Sequence, residues 1–296
     1  MNKKNKKELT KEVKNEENKI EELSEIQVPN NNDKNSKKKF TIFGFTITRL
    51  LAYFVIYSIV GFIIETIFGL VTKGVLESRK SFLYGPFCGI YGVGAVIMIV
   101  ALQKFKKNNY TLFLGGFIVG SIVEYVISWI GEMIFHIIWW DYSTMPFNLN
   151  GRICLWFSLF WGILGIYLMS HLQPKMDHFL DKFSPKILKT VTIILVIFMF
   201  LNCLVTGFAL KMFFTRLVNE HDLQLRDVDE YLAEYTSLYE QPEMKNIVDT
   251  FFNNEVMLKT FPNIKVTNKE GNIIWVKDIL SDIQPYYVRV FTPKLP

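Results

Sequence analysis

Ordered by apolar and polar positions alone, the chain divides into a polar arm, a series of long apolar runs and a polar tail. Five runs, at roughly 50–71, 85–103, 110–135, 153–172 and 190–211, approach or exceed the ~20 helical residues that cross a hydrocarbon core of about 30 Å. The second, fourth and fifth carry no Asp, Glu, Lys or Arg apart from Lys211 at the last boundary, whereas the first and third contain glutamate. Alternation of period two is absent and the runs are too long for barrel strands of about 9–11 residues, so helices must satisfy the backbone. The pattern predicts an all-α membrane protein, a polytopic bundle of about five transmembrane helices at 40–212.

The flanks differ from the bundle and from each other. Residues 1–39 are rich in Lys, Glu and Asn and contain no aromatic residue. Such a segment cannot bury enough apolar surface to offset its chain entropy, and a disordered cytoplasmic arm is expected. No apolar core follows the first basic residues until about residue 50, so no secretory signal peptide is expected. Residues 213–296 read as a small polar α+β appendage. VNEHDLQLRDVDEYLAEYTSLY carries a helical pattern, and IKVTNKEGNIIWV reads as a hairpin reversed at Glu-Gly-Asn.

Composition supports a membrane setting: half of the residues are hydrophobic and 26 of 296 are Phe. Charge adds direction. Lys37, Lys38, Lys39 and Arg49 precede the first run, Lys104, Lys106 and Lys107 follow the second, and Lys175, Lys182, Lys186 and Lys189 follow the fourth. The alternate loops hold Lys73, Arg79 and Lys80, then Arg152 alone, then Lys211 and Arg216. By the positive-inside rule the amino terminus is cytoplasmic and the tail external, in a multi-pass protein of the plasma membrane. The net charge of +5 is modest and the arm's lysines alternate with glutamates, which argues against a nucleic-acid partner. Cys88, Cys154 and Cys203 all fall in apolar runs, and neither a disulfide framework nor a metal site follows from their spacing.

Three acids lie inside the runs, Glu65, Glu124 and Glu132, and each needs a partner or a cavity, because a charge at mid-membrane costs about 2.5–3.5 kcal/mol on insertion scales. In the third run Glu124, Ser128, Glu132 and His136 recur every four residues and form a polar lane. Eight helical residues rise about 12 Å, so Glu124 and Glu132 cannot act as a carboxylate dyad. The first run has its own lane, Tyr57, Gly61, Glu65 and Gly69, with small residues flanking the acid. The outer loops supply Arg79, Asp141 and Arg152. Together these predict one polar cluster or substrate path of Glu65, Arg79, Glu124, Glu132, His136, Asp141 and Arg152, with the two arginines as partners for the buried acids. No catalytic residue and no cofactor is assigned.

Two connecting stretches are unusual. WWDYSTMPFNLNGRICLW at 139–156 reads as a cap: tryptophans at headgroup level, Asp141 with Asn148 or Asn150 bonding loop backbone, and Gly151 turning Arg152 inward. SFLYGPFCGIYGVGA at 81–95 holds Pro86 and four glycines, which suit either close helix packing or a broken, re-entrant start to the second helix.

These stretches, together with IYSIVGFIIET, EYVISWIGEMIFHIIWWDYS and FNLNGRICLWFSLFWG, resemble a bacterial membrane-protein family, the ABC-transporter type IV family of CmpB type, over about residues 50–175. Arg79-Lys80-Ser81 and Gly89 stand where family members usually carry Arg-Gly and proline. The resemblance implies a permease-like protein in the lipid bilayer. The chain has no Gly-x-x-x-x-Gly-Lys-Ser/Thr phosphate loop, so an ATPase partner would be a separate polypeptide. A homo-oligomer is compatible with this reading.

Three functions therefore stand: a transport component moving a solute or envelope component; a membrane-embedded enzyme acting on lipid or envelope substrates with His136 or Glu132 as acid or base; and a non-catalytic scaffold. Transport leads, and an enzyme is the weaker case because no second histidine accompanies His136 in the cluster.

Overall fold

The computed structural model describes residues 41–221, 223–226, 228–283 and 287–292. The arm expected at 1–39 lies outside them. The chain divides into residues 1–41, of which only Thr41 is described, and 42–296, which carries the helices and the tail.

Helix α1, Ile47–Lys73, starts where the Thr46 side chain accepts the Arg49 N–H and stops at Gly74, whose left-handed backbone returns its N–H to Leu70. A short strand β1 follows at Val75–Glu77. Helix α2 covers Gly89–Leu102, and α3 covers Asn109–Phe135 behind a reciprocal cap between Asn108 and Thr111. Helix α4, Leu155–Tyr167, passes through a π turn at Leu168–Leu172 into α5, Gln173–Asp181. Helix α6 runs unbroken over Pro185–His221. Among the described residues four stretches are long and apolar enough to cross a membrane, Ile47–Lys73, Asn109–Ile134, Leu155–Asp181 and Pro185–His221, and α2 with its extension to Phe105 is a shorter apolar helix. This is an all-α membrane bundle with a few small strands. Its outward faces are apolar, for example at Ile67, Phe68, Ile122, Ile194 and Phe200.

The second run departs from an uninterrupted helix. Ser81–Cys88 is non-helical, because Gly85 sits at φ +76° and Pro86 has no N–H to continue a helical ladder. The segment is nevertheless tucked into the bundle. The Cys88 N–H donates to the Ser58 carbonyl midway along α1 at 2.8 Å, and the Leu83 N–H donates to Thr206 Oγ1 of α6 at 3.0 Å. Asn202 of α6 holds Tyr84 from both sides, accepting its N–H at 3.3 Å and donating to its carbonyl at 2.6 Å. Gly92, on the first turn of α2, lies against Ser58 and the Phe54 carbonyl, with no room for a Cβ. Close packing and a broken start thus occur together.

At the tail end of the bundle, α6 supplies the centre of the polar appendage. Leu210, Met212, Phe213, Phe214 and Leu217 are buried on all sides by residues such as Val248, Met257, Val266, Val276 and Leu280. Around them lie α7 (Asp229–Tyr239), α8 (Pro242–Phe251), α9 (Asn254–Thr260) and the short α10 (Val276–Ile279). Strands β2, Lys265–Thr267, and β3, Ile273–Trp275, pair antiparallel as the hairpin pattern predicts, with Lys265 opposite Trp275. Strand β4, Tyr287–Arg289, pairs antiparallel with β1, so the tail is stitched to the loop after α1. The helical pattern expected across 218–239 is divided, with α6 ending at His221 and α7 beginning at Asp229.

Candidate functional site

The expected single polar cluster resolves into three separate stations along the tail-facing half of the bundle, set by which element each acid faces. At the first, Glu65 of α1 accepts the Tyr91 hydroxyl of α2 at 2.6 Å and lies 3.7 Å from Arg79. Arg79 bonds more closely to Glu77, at 2.7 Å. Gly69 makes the approach possible, since a Cβ there would stand 2.7 Å from the guanidinium.

The second station is Glu124, midway along α3 and 6 % exposed. Its oxygens accept the Tyr142 hydroxyl at 3.1 Å and the Trp161 indole N–H at 2.9 Å. Both donors are neutral, and no cation pairs with it among the described residues. Tyr142 descends from the 136–154 loop and stacks on Phe157 of α4 with centroids 4.5 Å apart. Burial pushes the Tyr142 phenol above its ordinary range, and the neighbouring Glu124 charge adds to the effect, so the hydroxyl remains a donor at physiological pH.

The third station is Glu132, near the end of α3. It receives Arg152 on one oxygen and Arg226 of the tail on the other, both at 2.5 Å. Arg152 also donates to Ser128 at 3.1 Å and lies 5.9 Å from the Tyr125 ring centroid. Arg152 therefore belongs to Glu132 and not to Glu124. The lane stops there: α3 ends at Phe135, and His136 turns away at φ +55°, its ring 5.6 Å from that of Tyr231 in the tail. A cavity of only about 10 Å³ remains beside Glu132, His136 and Arg226.

Asp141 serves the loop, accepting the Ser143 N–H at 2.9 Å, while Asn148 donates to the Ser143 and Met145 carbonyls and accepts the Gly151 N–H. Gly151, at φ +67°, makes the turn that aims Arg152 back toward α3. Among the described residues no cluster of metal-ligating side chains occurs.

Sequence reasoning missed the aromatic donors Tyr91, Tyr142 and Trp161, and it missed a whole polar group at the opposite end. There Arg49 binds Asp177 at 2.9 Å and Asp181 at 2.6 Å, the Tyr53 hydroxyl donates to Asp177, and Tyr57 donates to buried Gln173 at 3.0 Å. The available signal was two four-residue spacings, Tyr53/Tyr57 and Gln173/Asp177, each of which puts both members on one helix face.

Membrane-length helices around buried, hydrogen-bonded acids define a multi-pass α-helical membrane protein. The family model described as "Putative ABC-transporter type IV" matches residues 52–207, and the chain belongs to that family. That match takes in Ser81–Cys88 and every station residue except Arg226, and it ends before the tail. No curated protein and no solved structure matches the chain.

Proposed function

We propose that this chain is the membrane-embedded permease component of a transporter in the plasma membrane, with any ATP hydrolysis supplied by a separate polypeptide. The observation that carries the reading is the non-helical Ser81–Cys88 segment lodged between α1 and α6, its backbone groups met by Ser58, Asn202 and Thr206. Non-helical backbone at membrane depth is tolerated where protein or a water-filled path surrounds it, and discontinuous helices are where transporters build substrate sites. Glu124 strengthens the reading. A membrane-buried carboxylate held only by neutral donors can accept a proton or a cationic group without first breaking an ion pair. Tyr91 and Glu65 lie beside the broken start of α2 and extend the polar path toward the tail end.

The same reading makes 1–39 a cytoplasmic arm, 40–212 the transport bundle and 213–296 an external domain. Two measurements test it. Purification from native membranes should retain a nucleotide-hydrolysing subunit, and its repeated absence under mild detergents would remove the ATP-driven permease reading. A lone cysteine introduced at Asn268, in a chain lacking the native three, should react with an impermeant thiol reagent in intact cells. Protection until the membrane is opened would invert the topology.

A further inference from the structure

The tail holds a cleft of about 370 Å³ that the transport reading does not use. Its walls come from the last turns of α6 (Arg216, Glu220), the end of α7 (Tyr239), the α8–α9 turn (Asp249, Asn253, Asn254, Glu255) and Ile283. Arg216 is 3 % exposed, the most enclosed charge among the described residues of the tail. Its Nε donates to Asn254 Oδ1 at 3.1 Å and its Nη2 to the Phe252 carbonyl at 2.6 Å. Nη1 is buried and has no acceptor among the described residues. An enclosed guanidinium donor without an acceptor is costly, and a native fold that keeps one calls for an explanation.

The rim carries the opposite charge. Glu220, Asp249 and Glu255 are exposed, and the charges of Glu220 and Asp249 reach Arg216 across the cleft. Asp249 accepts the Tyr239 hydroxyl at 2.8 Å, and the Tyr239 ring stands near two cations, with its centroid 5.7 Å from Lys245 and 6.0 Å from Arg216. A plain anion would satisfy Arg216 but meet three carboxylates. A plain cation would satisfy the rim and leave Nη1 unmet. We propose that this cleft binds a small zwitterion, a free amino acid or dipeptide, with its carboxylate on Arg216 and its ammonium among Glu220, Asp249 and Glu255. Nη1 offers a charge-assisted donor to a carboxylate oxygen, and the volume lies within the range of about 300–1,000 Å³ usual for small-ligand sites. The site is independent of the permease reading, because it lies in the tail and asks nothing of the bundle.

Full-length protein in detergent, titrated by calorimetry and by thermal shift, decides the matter with four probes: alanyl-alanine, alanine, acetate and putrescine. The two zwitterions should bind saturably and raise the unfolding temperature, while acetate and putrescine should not. Arg216→Lys keeps the charge but removes the forked donors, and should weaken zwitterion binding by about tenfold or more. Because Arg216 is buried, the exposed double variant Glu220→Gln/Glu255→Gln provides the arm that leaves the core untouched, and it should weaken binding to a similar degree. The proposal is overturned if neither zwitterion binds up to about 10 mM, where a site of about 1 mM Kd would be mostly filled. It is equally overturned if the rim variant binds as wild type does, or if acetate or putrescine binds as well as the zwitterions.

Discussion

Glu124 and Glu132 stand two turns apart on one face of α3 and are held in opposite ways. Around Glu124 the bundle closes with aromatic side chains, and the carboxylate is solvated by a phenol and an indole. Around Glu132 the helix is ending, a loop and the tail both reach in, and the carboxylate is fixed by two guanidinium groups. The difference follows from depth. Arginine reaches a site through long chains anchored in aqueous loops, so cations gather where α3 meets the 136–154 loop and the tail, while mid-helix positions have only neighbouring helices and a descending loop tip to draw on. One region is built as a joint of ion pairs, and the other as a carboxylate held by neutral donors alone among the described residues.

Removing one partner from each acid separates the two arrangements. Arg152→Gln should cost about 3 kcal/mol of stability, because it leaves a largely enclosed Glu132 with only the more exposed Arg226, and thermal unfolding in detergent measures the loss. If Trp161→Phe, which removes one neutral donor from Glu124, costs more than this, the contrast fails. Glu132→Gln combined with Arg152→Gln should fall short of the sum of the single losses by about 1–3 kcal/mol, since the second change relieves the charge that the first left unpaired. Additive losses would show that the two do not act as a pair.

Glu124→Gln is expected to change stability by no more than about 1 kcal/mol, because an amide oxygen still accepts from Tyr142 or Trp161. The same substitution should abolish function in cells, read as altered solute accumulation or envelope composition. Wild-type behaviour in both would leave Glu124 as packing alone. Arg226→Gln should cost less than about 1 kcal/mol, because its side chain is 44 % exposed and Glu132 retains Arg152.

The smallest effect concerns pH. The folded protein holds the Tyr142 proton beyond the ordinary tyrosine value of 10.0, so this group's contribution is complete below that pH and declines as pH rises above it. Tyr142→Phe should make the alkaline loss of stability shallower above pH 10 and leave the slope at neutral pH unchanged. An identical alkaline slope in the variant would show that the Tyr142 phenol is not confined beside Glu124.

Features fixed by local period and solvent partition were legible in the residues alone. Apolar length specified the membrane helices, since a hydrocarbon core admits little else, and the Glu-Gly-Asn turn between β-rich runs specified the hairpin. The lane in α3 was legible as far as Glu132, because a four-residue spacing on a helix has only one geometric meaning. Tertiary structure decided the rest. Which arginine meets which glutamate depends on how far a loop folds back, and so Arg152 went to Glu132 while Glu124 received Tyr142 and Trp161. Gly85 and Pro86 interrupt the helix locally, but the lodging of Ser81–Cys88 inside the bundle depended on Asn202 and Thr206, more than a hundred residues away, being present to satisfy its backbone. The opposite-end group of Arg49, Tyr53 and Asp177 joins residues from helices that share no local pattern. A hydrogen bond at membrane depth is chosen by whatever donor the fold brings within about 3 Å, and no local pattern in the chain encodes that distance.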